Sequence, residues 1–389
     1  MSEGRWAAVR RWPAWIMLAG MLALAGCKVE TFWSPDGKSI AYLADSRLRL
    51  YDVGAKQSKR LDTGPGQVIS ATWSPDGSRI AFYAATLGKE AGVSLRVIDP
   101  ASGKVATLVL DLWPLPKEPP KELEGLSPAE ALRDAQEDAL GTFEYGATVA
   151  WSPDGKLLAY VGASASGGGI FLLTYPAQGI KSLAGPGPQI APAWSPDGKR
   201  LAYLRPSSSG AEVAQPSQKA SESAPEPDSV WLYDLGAGKS QKVCEVPGGS
   251  LAAGTRLQWS KDSRQIGLIA GASEESAIGC LVEARAGAAA RAVTSKVTAM
   301  AAWSPGLEGV VYVGQPDDKG RAPVLYRAPG GAPKVLGRLD LPAEEKSGQA
   351  PQESEAMPFS LPEFSPDGGK VALRVGEKAN LRVAVLLVK

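Results

Sequence analysis

Trp33-Ser34-Pro35-Asp36-Gly37 decides the fold, because the chain says it again and again. The same five residues recur from Trp73 (with Asp76 and Gly77), from Trp151 (Asp154, Gly155) and from Trp194 (Asp197, Gly198). A fifth copy, Phe364 to Gly368 with Asp367, exchanges only the aromatic ring. Two more are worn: Trp259-Ser260-Lys261-Asp262-Ser263 and Trp303-Ser304-Pro305-Gly306-Leu307. Successive starts lie 40, 78, 43, 65, 44 and 61 residues apart. The basic period is therefore about 40 to 45 residues with insertions in three intervals, which is the signature of propeller blades.

The phrase has a physical reason. Proline presets φ at the first corner of a tight turn, aspartate hydrogen-bonds its own backbone two residues on, and glycine accepts the positive φ that closes a hairpin. An apolar strand follows each turn, as in Ile40-Ala41-Tyr42-Leu43 and Leu157-Leu158-Ala159-Tyr160-Val161. A second strand ends in an acidic turn, as in Leu48-Arg49-Leu50-Tyr51-Asp52 and Val230-Trp231-Leu232-Tyr233-Asp234. With the strand before the motif and a short outer strand after it, each repeat supplies four strands.

This pattern resembles the WD40-like repeat of the TolB-type β-propeller proteins, and it covers nearly everything after residue 28. The resemblance implies an all-β chain folded as a β-propeller of four-stranded antiparallel sheets. Seven blades are expected, the last one incomplete because it offers three strands; a six-bladed ring with one displaced repeat is the alternative. Each WSPDG is read as a turn plus an inter-blade aromatic, against the alternative of a ring of metal-binding aspartates.

Residues 1–27 stand apart from the single propeller domain at 28–389. Arg5, Arg10 and Arg11 precede a short apolar stretch from Trp15 to Leu24, the pattern of a secretory signal. The ending Leu24-Ala25-Gly26-Cys27 resembles the bacterial lipobox, which implies a diacylated Cys27 as the mature N-terminus; an uncleaved anchor or an ordinary signal peptide are the alternatives. The stretch is too short and interrupted for a confident spanning helix. Lys28, by resemblance to Gram-negative lipoproteins, implies the outer membrane, with the protein facing the periplasm.

The chain has 42 basic and 41 acidic residues, so nothing electrostatic favours nucleic acid. Cys244 and Cys280 fall in predicted strands of consecutive blades, where an oxidising envelope would permit a disulfide. Three insertions, 111–143, 205–228 and 341–357, fall in connections expected on one face of the ring. In the first, Ser127-Pro128-Ala129-Glu130 reads as a capping box that opens a helix to about Leu140, stopped by Gly141. Leu132, Ala135 and Ala139 would pack it on the propeller; a partner-docking helix is the alternative. The other two insertions are polar and read as disordered loops.

Histidine is absent from the sequence, which excludes Ser-His-Asp and Cys-His machinery and His-ligated zinc within this chain. No nucleophile elbow, P-loop or dinucleotide fingerprint occurs, and no cofactor is expected. Carboxylate chemistry survives. Residues one and three before each motif aromatic share a strand face and include Glu30, Ser70, Thr72, Thr148, Arg256, Gln258 and Glu363. The other parity (Thr31, Ala71, Val149, Pro192, Leu257, Ala301, Pro362) is mostly apolar and suits blade packing. Glu30, Arg256 and Glu363 are thus a candidate ligand site in a channel that is otherwise simply polar. The resulting expectation is a non-catalytic, lipid-anchored scaffold that binds envelope proteins, since TolB-like relatives act in envelope complexes. The alternative is a carbohydrate-active hydrolase or lyase, or a sensor of peptide or sugar, that uses the channel.

Overall fold

The computed structural model describes residues 31–120, 125–144, 147–164, 167–176, 179–183, 188–206, 227–249, 255–271, 277–294, 297–298, 300–340, 359–376 and 382–388. Cys27, Glu30, the bulk of the 205–228 insertion and all of 341–357 lie outside them.

Seven antiparallel meanders follow one another. Blade one is β1 (Thr31–Trp33), β2 (Ser39–Ala44), β3 (Arg47–Asp52) and β4 (Gln57–Arg60); blade two is β5 (Gln67–Trp73), β6 (Ile80–Thr86), β7 (Gly92–Ile98) and β8 (Val105–Trp113). Blade three is β9 (Val149–Trp151), β10 (Leu157–Ser164), β11 (Gly167–Thr174) and β12 (Ile180–Ser182); blade four is β13 (Ile190–Trp194), β14 (Arg200–Arg205), β15 (Ser229–Asp234) and β16 (Lys239–Glu245). Blade five is β17 (Gln258–Trp259), β18 (Gln265–Ala270), β19 (Ile278–Glu283) and β20 (Arg291–Ala292); blade six is β21 (Ala301–Trp303), β22 (Val310–Val313), β23 (Arg321–Arg327) and β24 (Lys334–Asp340). Blade seven has β25 (Glu363–Phe364), β26 (Lys370–Val375) and β27 (Arg382–Leu387), and its sheet has three strands among the described residues.

One register runs through all seven. The motif aromatic pairs with the residue seven positions on: Trp33 with Ile40, Trp73 with Ile80, Trp151 with Leu158, Trp194 with Leu201, Trp259 with Ile266, Trp303 with Val310 and Phe364 with Val371. Every one of those aliphatic partners is 0% exposed. The turn between them is latched from inside. Six of the seven motif serines donate to an aspartate at 2.5 to 2.7 Å, Ser304 having none in its motif, and every motif serine oxygen accepts the N–H that opens the next strand, as Ser39 N–H to Ser34 Oγ at 2.9 Å.

Neighbouring blades are joined by the same residues. The indole N–H of Trp73 donates to Phe32 O (3.0 Å), that of Trp194 to Ala150 O (3.1 Å) and that of Trp259 to Ala193 O (3.0 Å). Each acceptor is the residue just before the preceding blade's aromatic. Trp33 does the same to Glu363 O (3.0 Å), and Trp33, Ile40 and Ala372 share a cluster, so blade one closes on blade seven.

The first insertion is a helix, α1 (Pro128–Glu144), capped as the sequence predicts: Ser127 N–H and Oγ both donate to Glu130 Oε2, at 2.9 and 2.6 Å. It runs through Gly141, one turn beyond the expected stop. Phe143 explains the difference, for it is buried edge-on against Tyr83 (5.1 Å between rings) and beside Trp113 (5.2 Å). The buried face is Ala131, Gln136, Leu140 and Phe143, with Leu132, Ala135 and Ala139 only half-buried at its border. Gln136 holds both sides of the β6–β7 loop, accepting from Gly88 N–H (2.8 Å) and donating to Gly88 O (3.0 Å). Trp113 Nε1 donates to Ala139 O at 3.2 Å. The helix is therefore part of the core of blades two and three.

Candidate functional site

The inner strands line the channel with the expected parity. Thr31, Ala71, Val149 and Leu257 are buried between blades, while Thr72, Thr148, Arg256, Gln258 and Glu363 remain half-exposed. Ser70 departs from the pattern and is buried: β5 carries a bulge between Val68 and Ala71 that breaks the alternation there.

Two of the three candidate charges meet. Arg256, leading into blade five, reaches Glu363 of blade seven, Nη1 to Oε2 at 3.1 Å, with side chains 36% and 27% exposed. Its guanidinium also lies over the ring of Phe32 in blade one, 5.7 Å from the centroid. Glu363 is held at both ends, since its carbonyl oxygen takes the Trp33 indole N–H. Burial pushes the Glu363 carboxyl above its ordinary range, and the Arg256 charge opposes that rise. Glu30, the third candidate, lies outside the described residues. Phe32 is the member that polarity-based selection passed over; it sits one residue before Trp33 and so shares the channel parity. Thr148 adds a hydroxyl with no partner among the described residues, while its carbonyl accepts from Tyr83.

The assembly can neutralise a charge across the channel and offer a guanidinium face to an anionic or aromatic group. For acid-base work, Glu363 would first have to leave Arg256. The turn aspartates face inward on their own loops. Serine hydroxyls, then backbone N–H groups, hold Asp36, Asp154, Asp262 and Asp367 below the usual carboxylate range; for Asp76 both Ser74 and Ser78 hydroxyls contribute. Their geometry is that of turn closure.

Cys244 and Cys280 are free thiols in the structure, both buried in one apolar cluster that spans β16 and β19. Burial pushes both up to about 11. Cys244 adjoins an open groove of about 440 Å³ lined by Lys242 to Glu245 and Gly287 to Ala290.

Ring, latched turns and paired channel charges define a seven-bladed β-propeller. Solved structures place it beside proteins of several kinds. The oligogalacturonate lyase of Vibrio parahaemolyticus matches with a TM-score of 0.56 and 10% identity over 94% of this chain and 93% of that one. The hydrazine synthase of Kuenenia stuttgartiensis matches with 0.53 and 12% over 93% and 96%. TolB from Acinetobacter baumannii is similar at 0.45 and 14%, over 77% of this chain and 60% of that one, so less than two thirds of that protein's length is matched. No family model matches the chain, and no curated protein matches it. The likenesses to the lyase and the hydrazine synthase show the fold, which hosts unrelated activities.

Proposed function

We propose that the chain is a non-catalytic, lipid-anchored propeller scaffold that binds protein partners in the bacterial envelope. Acylation of Cys27 would tether it, with Lys28 directing it to the outer membrane and the ring facing the periplasm. The observation that carries this reading is the welded insertion. Helix α1 is fixed to blades two and three by Gln136, Phe143 and Trp113, yet turns Arg133, Asp134 and Glu137 to solvent. A charged face held rigidly above a ring is pre-organised for docking, because little ordering entropy is lost on binding.

The test is capture of partners by the lipidated chain from detergent-solubilised envelopes, beside an Asp134→Lys, Glu137→Lys variant. A partner retained by the parent and lost by the variant supports the reading; identical capture profiles overturn it. A second reading uses the channel as a small-ligand site, favoured by the Arg256–Glu363–Phe32 assembly. It expects a ligand-induced rise in melting temperature that Arg256→Ala abolishes, and a broad ligand panel without any such rise would remove it.

A further inference from the structure

We infer that the outer edge of blade seven takes an extended, acidic-flanked strand from a partner protein as its fourth strand. This rests on the scaffold reading and names a second surface for it, on a different blade from those that carry helix α1.

In the six other blades the third strand is paired on both sides. Blade one shows the pattern: β3 lies between β2 and β4, and Leu61 N–H beyond β4 donates to Leu48 O at 3.0 Å. In blade seven, β27 holds the third place and has β26 as its one sheet neighbour among the described residues. Its sequence, Arg382-Val383-Ala384-Val385-Leu386-Leu387, is that of an inner, apolar strand, whereas the outer strands β4 and β12 are short, polar and exposed.

The direction of its free groups follows from one bond. Val388 N–H donates to Gly369 O at 3.0 Å, so alternation turns the N–H groups of Arg382, Ala384 and Leu386 toward β26. Those of Val383, Val385 and Leu387 then point to the open edge. Natural sheets blunt or cover such edges. Exposed apolar side chains flank it on both faces: Leu387, 65% exposed, shares its face with Val383 and Val385, which pack toward blade one, while Val335, 49% exposed, belongs to β24 of blade six on the other side. Leu386 packs at Gly337, where a Cβ would meet it at 2.8 Å, and Arg382 reaches Asp340 O, so the two strands run side by side.

Charge selects the occupant. Lys334 and Arg338 of β24 and Arg382 of β27 form an exposed basic rim beside Asp340, while Asp317 is held by Arg321 at 2.8 Å and lies 3.8 Å from Arg338. A second copy would bring two basic rims together. An extended segment of alternating apolar and polar residues, with acidic ends, satisfies the unpaired backbone, the exposed apolar side chains and the charge at once, the mode of β-strand addition.

The probe is a synthetic peptide of alternating valine and threonine with glutamates at both ends, added to the full chain and followed by amide hydrogen exchange. Fast exchange of Val383, Val385 and Leu387 in the free protein, slowed by the peptide, is the expected result. The same peptide with lysines in place of the glutamates should bind about tenfold more weakly or worse. Val385→Pro removes an outward N–H and should abolish binding with the melting temperature nearly unchanged, while Val385→Thr retains it. Edge amides already protected in the free protein overturn the inference: protection at every concentration would assign the edge to the chain itself, and concentration-dependent protection to a second copy. Equal binding of both peptides also overturns it. If Val385→Pro fails to fold, the exchange comparison on the parent chain decides. Failure here leaves the helix-face capture standing, because that experiment reads different blades.

Discussion

Four intact turns and two worn ones reach the same backbone by different means. In the intact turns a glycine takes the positive φ, as Gly77 at 71° and Gly155 at 70°, and a Cβ built there would lie 3.7 and 3.9 Å from the proline Cδ of the preceding blade's turn. In the worn turns Ser263 and Leu307 hold the same corner at φ 59° each. Neither is a passive blemish. Ser263 is buried, its Oγ accepts the Asp197 N–H at 3.2 Å, and its carbonyl is taken by Arg200 Nη2. Leu307 is buried against Trp303 and fills the space that Gly267 leaves, where a Cβ would approach Leu307 Cδ2 to 2.7 Å. The lesson is that a lost glycine was compensated by contacts with the blade before it, and backbone strain was exchanged for inter-blade packing.

The sharpest way to break that comparison is Leu307→Gly. Restoring glycine relieves the left-handed strain but empties a buried leucine site, so a net loss of about 2 kcal/mol is expected in denaturant unfolding. A stabilised protein would show that the worn turn is a simple defect. Next comes Gly77→Val, which puts a β-branched residue at positive φ in an intact turn and should cost about 2 kcal/mol or slightly less. A loss below about 0.5 kcal/mol would contradict the role given to glycine.

The indoles allow a finer contrast. Trp73→Phe removes the bond to Phe32 O and should cost about 1 kcal/mol, whereas Trp151 Nε1 is buried without a partner among the described residues. Trp151→Phe should therefore be close to neutral, as the natural Phe364 suggests, and equal losses for the two would refute the inter-blade bond as a contributor. Ser263→Gly is smaller still. Glycine relieves the left-handed strain, but loss of the Asp197 bond offsets that gain, and a change within about 0.5 kcal/mol, on the destabilising side, is expected.

Acid gives the smallest and most diffuse effect. The turn carboxylates have folded pKa values below the ordinary range, so the unfolded chain takes up protons first as the pH falls, and the stability they supply is lost below about pH 4. Melting curves down the acid limb should drop less steeply for Asp76→Ala than for the parent. Parallel curves would mean that the Ser74 and Ser78 bonds contribute nothing to folding.

What could be read in advance was whatever repeats. Seven motif aromatics and their spacing predict seven inner hairpins, and all seven form with one common register, because turn chemistry is local. The parity of the inner strands placed Arg256 and Glu363 in the channel for the same reason. Their pairing was not legible: blades five and seven are joined only through ring geometry, and Arg256 could have pointed elsewhere from the same strand face. The bulge that buries Ser70 also left no local signal. At helix α1 the capping box was plain, but the end was misplaced, since Gly141 is a local stop and Phe143 is a tertiary anchor that overrides it. The compensating roles of Ser263 and Leu307 were hidden because each acts on a different blade from its own.

Trp33 and Glu363 lie 330 residues apart in sequence, and their hydrogen bond is the seam of the ring. Other blade junctions can form between segments that leave the ribosome one after another. This one waits for the seventh repeat, so Trp33 and Ile40 remain uncovered by Ala372 until the six blades before it have been made. Long-range closure of this kind sets the pace of folding. Moving the chain ends to a loop between two middle blades would turn this seam into a local contact and make the opened middle junction the last to close, while keeping the same ring.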